Sequence, residues 1–262
     1  MDLLRTIVRC PNIQRCYDTG QGACCKLIAV QRSYPATLEK HQVPEPWSGD
    51  IEHVPILFIG PNPYGDDTSP EGKQPKFPLW EWKDEEIEEF FTQRYTAKDK
   101  PWIKGGTRYL LQDGTYSKKD VTYWASVREL AKEALGRDIN DGVDYALTEV
   151  VHCQSKSENV IEDRTLNECV KRYLQPVIAL SGAKVLVVLG SKAKLAMEGT
   201  FKTELDGAHG RAFGPVQISG RQRYIACLPH PTWCHRFNKP CTFERWLDKE
   251  ALQALQAFLR KQ

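Results

Sequence analysis

No stretch of this chain approaches the roughly 18 consecutive apolar residues that a bilayer-spanning helix needs, and Met1 to Cys10 carries no apolar block followed by a small-residue cleavage site. Membrane insertion and export are not expected, so the protein reads as cytoplasmic. There is little net charge: 36 Lys and Arg stand against 34 Asp and Glu, for a formal +2. That balance neither points to nor excludes nucleic acid, which needs only a local basic face. The phosphate-cradling glycine patterns are missing too, since Gly190-Ser191-Lys192-Ala193-Lys194 has the spacing of neither the P-loop nor the dinucleotide-binding turn. There are no internal repeats and no low-complexity tail. What remains is 262 residues, 41% apolar, enough for one substantial core. We expect a single domain over residues 1–262, a monomer, with an insertion at about 66–114. Cysteine, by contrast, is plentiful at nine. In a reducing compartment these read as metal ligands, buried small hydrophobes or reactive thiols rather than a disulfide framework.

Four short apolar, β-branched runs stand out: Pro55–Gly60, Tyr145–Val151, Lys184–Gly190 and Arg223–Leu228. Such runs suit strands buried on both faces. Helical patterns lie between them, at Val121–Leu135 and at Thr165–Leu180, where Thr165 and Glu168 have the spacing of a capping box. The alternation predicts an α/β fold, a three-layer α/β/α sandwich around a central four-stranded parallel sheet. The strand tips then gather Asn62, Glu149, Ser191 and His230 along the edge where open α/β sheets bind ligands. Within the insertion, Glu81–Phe91 reads as an amphipathic helix that serves as a lid or packing element. Phe243 to Leu259 places Phe243, Trp246, Leu247, Leu252, Leu255 and Phe258 at helical spacing, a core-packing face.

Two strand tips carry a resemblance. Gly60-Pro61-Asn62-Pro63-Tyr64-Gly65 resembles the first motif of the uracil-DNA glycosylase superfamily, a polar side chain on a tight Pro-containing turn. Leu228-Pro229-His230-Pro231-Thr232-Trp233 is similar to its His-Pro-Ser/Thr motif, with Asp206-Gly207-Ala208-His209-Gly210 some twenty residues upstream. The resemblance implies a DNA glycosylase that hydrolyses the N-glycosidic bond of a flipped base in damaged or deaminated DNA. It assigns Asn62 to holding the attacking water and His230 to hydrogen-bonding O2 of the departing base. Gly60, Pro61 and Tyr64 would shape the base pocket, with Tyr64 against the C5 position and Phe77 stacking on the base. Ser191, Lys192, Trp233, Arg236 and Phe237 become candidate DNA contacts, the last three as the wedge that fills the gap left in the duplex.

A third block extends the likeness to the iron–sulfur members: Ala146 to Cys153, Asn167-Glu168-Cys169, then Lys184 to Gly190. By that resemblance Cys153 and Cys169 are two ligands of a [4Fe–4S] cluster, which takes four thiolates. The N-terminal pattern departs from those relatives, with Cys10, Cys16 and the pair Cys24-Cys25 in place of Cys-x-x-Cys. Cys25 fits the second place, with Cys16 or Cys24 as its partner. The cluster would be a structural staple, because glycosidic hydrolysis moves no electrons.

Glu149 also departs from the family. Uracil-excising relatives place Asn here, whose amide accepts from N3–H and donates to O4, whereas an ionised carboxylate only accepts. Either burial protonates Glu149 so that it donates, or the pocket prefers a base that presents donors, such as a cytosine-like or deaminated purine lesion. Two alternatives stand beside excision: a catalytically weak lesion-binding member, and an iron–sulfur α/β domain that binds a nucleotide or partner protein. A Cys234–His235 hydrolase is disfavoured, because adjacent side chains diverge.

Overall fold

The computed structural model describes residues 3–30, 37–63, 74–155, 160–207 and 210–261. In chain order the strands are β1 (Ile56–Gly60), β2 (Ile103–Lys104), β3 (Arg108–Tyr109), β4 (Tyr145–Glu149), β5 (Val185–Leu189), β6 (Ala212–Ile218) and β7 (Arg221–Leu228). The helices are α1 (Leu3–Val8), α2 (Pro11–Thr19), α3 (Cys25–Val30), α4 (Asp84–Thr92), α5 (Thr122–Leu135), α6 (Asp163–Cys169), α7 (Gln175–Leu180), α8 (Ser191–Thr200), α9 (Pro231–Arg236), α10 (Phe243–Trp246) and α11 (Lys249–Arg260). Among the described residues no helix is long and apolar enough to cross a membrane.

The four expected strands lie parallel in the order β4-β1-β5-β7. Every residue of β1, β4 and β5 is buried, as a sheet covered on both faces requires. Alternate residues feed two cores. Leu57, Ile59, Leu186 and Val188 pack with Ile7, Ile13, Val177 and Met197, while Ile56, Phe58, Val185 and Val187 pack with Leu130, Ala134, Phe243 and Leu255. Helices thus sandwich the sheet.

The sheet has five strands rather than four. The antiparallel edge strand β6 joins β7 through a two-residue turn at Ser219 and Gly220, both with positive φ, the geometry favoured in tight hairpins. Gly214 and Pro215 interrupt its apolar pattern and coincide with a register shift between Phe213 and Val216, where an edge strand tolerates proline. The helix expected from Thr165 begins at Asp163 instead, and the Thr165 hydroxyl is not a cap: it donates to the carbonyl of Ala23 at 2.6 Å. A π turn, Val170–Leu174, links α6 to α7 just before Pro176, which has no N–H for the α-helical ladder. The C-terminal helix is divided, because Asp248 turns its carboxylate onto the Ala251 N–H and starts α11 afresh. In the stretch read as an insertion, α4 buries Ile87, Phe90 and Phe91, so its apolar face packs as expected. Residues 66–73 of that stretch lie outside the described residues.

Candidate active site

The tips of β1, β4 and β7 open on a cavity of about 340 Å³, within the range of small-molecule sites. Asn62, Glu149, His230 and Phe77 all line it, together with Tyr123 and Arg94. The structure therefore brings the two expected catalytic side chains to one space.

Asn62 follows β1 on a turn held to the next strand, where Val150 and Val151 donate to the carbonyls of Gly60 and Pro61. Its amide nitrogen donates to the Pro63 carbonyl at 2.9 Å and to the Ser155 hydroxyl at 2.8 Å. A carbonyl oxygen only accepts, so the amide orientation is fixed, and Oδ1 is the acceptor left over. Ser155, buried and anchored by its own N–H on Pro63, is the positioning group that sequence reasoning missed.

His230 follows β7 and caps α9, with Nδ1 accepting from the Thr232 N–H at 3.3 Å. Burial holds its pKa down at about 4, so the ring is neutral near pH 7. With Nδ1 an acceptor, the proton of the neutral ring sits on Nε2. The Tyr123 ring stacks on it, 5.2 Å away and inclined by 11°, and fixes its plane. Gly190, at φ +88°, clears the other side: a Cβ there would stand 3.3 Å from that of His230.

Glu149 is buried at the end of β4, in register with Gly60. A Cβ on Gly60 would come within 2.0 Å of the Glu149 carboxylate, so the glycine makes the space in which the carboxylate lies. The Tyr123 hydroxyl donates to Glu149 at 3.5 Å. Burial, and after it the charge of Glu149, raises the Tyr123 pKa well above the usual phenol value and keeps that hydroxyl protonated.

The cavity wall also holds a buried cation. Arg94 pairs with Glu45 at 2.5 Å and donates to Ser48 at 2.7 Å, while its guanidinium sits 5.0 Å from Phe90, 5.4 Å from Trp124 and 5.8 Å from Phe77. Phe77 lies in this cluster, edge-on to Phe90 and Phe91.

Other expectations fare differently. Gly60 and Pro61 do not line the cavity; their carbonyls accept from the backbone N–H groups of Val150 and Val151. Tyr64 and His209 lie outside the described residues. Ser191 is exposed at the start of α8, and Lys192 turns toward the Ile161 carbonyl at 3.3 Å. Trp233, Arg236 and Phe237 are exposed on and just past α9, away from the cavity lining.

The cysteines need a correction. Cys16 and Cys25 are joined in a disulfide, so they do not form a ligand set with Cys153 and Cys169. The thiols that gather near those two are Cys10, before α2, and Cys24, before α3; all four are free and buried. The interaction with Cys169 lowers the Cys24 pKa and, with burial, raises that of Cys169 well above the usual thiol value. Burial raises Cys153 in the same way, with Cys10 and Cys24 adding to the shift. Among the described residues no group of three or more His, Cys, Asp or Glu is placed to hold a metal ion. Four thiols are the right donor type for a four-thiolate centre, but the placement of these four does not make one.

Comparison with known families gives one finding: residues 46–256 match the model of the uracil DNA glycosylase superfamily, a span that holds Asn62, Glu149 and His230. No curated protein matches the chain.

Proposed function

This chain belongs to the uracil DNA glycosylase superfamily, and on that ground we propose that it is an intracellular DNA N-glycosylase of base-excision repair, drawing one deaminated base into the Asn62–His230 cavity and hydrolysing its glycosidic bond. The observation that carries the reading is the pre-assigned polarity of the cavity: an acceptor on Asn62 and a donor on His230, each fixed by protein partners. As the bond from C1′ to the base breaks, its electron pair leaves on the base and positive charge grows on the sugar. The His230 Nε2–H donates to the base oxygen that takes up negative charge, the work of an oxyanion hole. Asn62 Oδ1 holds the water whose oxygen bonds to C1′. An amide is too weak a base to remove the water's proton, which leaves to solvent once the sugar cation has been captured. Uracil-containing plasmid, treated with the protein and then heated in alkali, should collect strand breaks; a lesion-binding protein would leave it intact.

The base preferred by this cavity is set by Glu149. Its carboxylate already accepts from Tyr123 and, as an acceptor only, pairs with ring N–H or amino donors while leaving a uracil O4 without a partner. A cytosine-like base, whose exocyclic amino group donates where uracil has O4, matches that edge better than uracil does. Glu149→Asn should therefore raise excision of uracil relative to a cytosine-like base by roughly tenfold, the worth of one buried hydrogen bond. An unchanged ratio in single-turnover assays on paired oligonucleotides removes Glu149 from base selection.

We also propose that Cys10, Cys24, Cys153 and Cys169 hold a [4Fe–4S] cluster. The support is their burial, their mutual electrostatic influence and the donor chemistry of four thiols; as they stand they form no metal-holding group, so a cluster would have to draw them together. A cluster there supplies cross-linking, tying the segment of α1 to α3 to the chain after β4 and to the end of α6. Protein purified without oxygen should be brown and carry iron, and Cys169→Ser should lose both while Cys16→Ser retains them. Colourless, iron-free wild-type protein would make these thiols packing groups.

A further inference from the structure

Just past the cavity, α9 carries an aromatic surface that hydrolysis does not use. Trp233 is 40% exposed and Phe237 52%, both large values for such rings. Their ring centres lie 5.0 Å apart at 46°, and Trp246 on α10 continues the row, 6.1 Å from Trp233 at 60°. The indole N–H of Trp246 donates to the Pro240 carbonyl at 3.0 Å, which anchors that end.

Cations are interleaved with the rings. Lys239 stands 4.9 Å from the Trp233 centre and 6.0 Å from that of Trp246; Arg211 and Arg245 lie 5.0 and 5.9 Å from Trp246, and Arg236 lies 5.9 Å from Phe237. Elsewhere arginines such as Arg9, Arg94, Arg128 and Arg137 are tied to carboxylates. None of the four cations on this surface is within ion-pair distance of a carboxylate among the described residues. Nearby, Asp248 caps α11, Glu133 accepts from the N–H groups of Phe243 and Glu244, and Glu244 points to solvent. The surface thus combines ring faces with positive charge that has no internal partner.

We propose that this surface, Trp233, Phe237 and Trp246 with Arg211, Arg236, Lys239 and Arg245, binds single-stranded DNA, stacking unpaired bases on the rings while the cations follow the phosphates. The proposal rests on the reading of the chain as a DNA-acting protein and adds the form of DNA it takes. Exposed ring faces suit unpaired bases, because a duplex keeps its base faces inside the stack and offers only edges and backbone. Three mutually tilted rings, spread over two ring-to-ring steps, are also broader than one wedge inserted at a single base step. His230, the first residue before α9, joins this surface directly to the cavity, so a strand lying on the rings delivers its next nucleotide to the site.

The test uses the full chain and labelled oligonucleotides that contain no deaminated base, single-stranded and duplex, with binding read by fluorescence anisotropy over a range of salt. Wild-type protein should bind the single strand at least tenfold tighter than the duplex. Trp233→Ala with Phe237→Ala should weaken single-strand binding by roughly ten- to a hundredfold at unchanged thermal midpoint, and leave duplex binding nearly as it was. Phe237→Ala alone, at a half-exposed position, gives the same direction of change if the double variant folds poorly. Arg211→Gln with Arg245→Gln should flatten the salt dependence of single-strand binding. Equal wild-type affinity for the two forms, unaltered single-strand binding in the aromatic variants, or a loss confined to duplex binding, as a wedge would give, overturns the proposal. Because binding alone is read, on DNA without a deaminated base, a chain that cleaves nothing can still pass this test, and an active glycosylase can fail it.

Discussion

Alanine in place of His230 lowers the single-turnover rate of base excision by roughly a hundred- to a thousandfold, the usual consequence of removing one oxyanion-hole donor, while affinity for the DNA changes little. The expectation follows from the protonation pattern of the ring. Thr232 N–H occupies Nδ1, burial keeps the imidazole neutral down to about pH 4, and Tyr123 fixes its plane, so one N–H is held toward the cavity before substrate arrives. Such a donor gains most as charge builds on the base, so its loss appears in the rate of the chemical step rather than in binding. Gln at the same position, with an amide N–H, should recover part of the lost rate. A loss below tenfold for His230→Ala, or an equal fall in DNA affinity, would place His230 in the scaffold of α9 and outside the chemistry.

The second large effect is on stability in mild acid. His41 and His152 are almost wholly buried, at 0% and 2% exposure, and burial depresses each pKa from 6.5 to about 4. His152 Nδ1 meets the Glu45 carbonyl at 2.8 Å, and Tyr17 meets His41 Nδ1 at 3.2 Å. A folded pKa below the unfolded one means that the unfolded chain takes up protons first. The stabilisation is complete above about pH 6.5 and is lost as pH falls from there toward 4. With His230, depressed in the same way, three protons correspond to a slope of up to about 4 kcal/mol per pH unit near pH 5, large against a typical stability of roughly 5–15 kcal/mol. Asp144, Glu162 and Glu168, held low mainly by bonds to Arg137, Lys26 and Arg172, lose their stabilisation only at lower pH, so from pH 6.5 to 5 the buried histidines set the direction, opposed by His53, raised by Asp50, and Glu133, raised by burial. Urea unfolding at pH 7, 6 and 5 should show the midpoint dropping steeply, and His152→Asn should remove about a third of the slope. A midpoint independent of pH over that interval contradicts the burial assigned to these rings.

Legibility in the sequence tracks how local the physics is. The strands β1, β4, β5 and β7 announce themselves because burial on both faces demands unbroken apolar runs, and their tips deliver Asn62, Glu149 and His230 to one edge. Strand β6 is hidden, since Gly214 and Pro215 break its pattern and its identity rests on pairing with β7. Asp248 divides the last helix through a bond to Ala251, although the apolar spacing runs on across the break. In the site, Ser155, Tyr123 and Arg94 escape sequence reasoning for a common reason: each acts through partners far away in the chain. Ser155 orients Asn62, Tyr123 stacks on His230, and the Arg94 cage draws on Glu45, Phe77, Phe90 and Trp124. The resemblance to the iron–sulfur members favours Cys25, with Cys16 or Cys24, beside the distal cysteines, but the fold pairs Cys25 with Cys16 and leaves Cys10 and Cys24 as the thiols that influence Cys153.

One measurement bears most directly on the account: single-turnover excision from otherwise identical oligonucleotides carrying uracil, hypoxanthine, xanthine or cytosine at one position, run with the wild-type protein and with Asn62→Ala. The account predicts that the wild type releases at least one of these bases and that Asn62→Ala, still folded and still binding the same DNA, releases it at least a hundredfold more slowly. Release by Asn62→Ala at the wild-type rate, or no release of any base by the wild type, contradicts it.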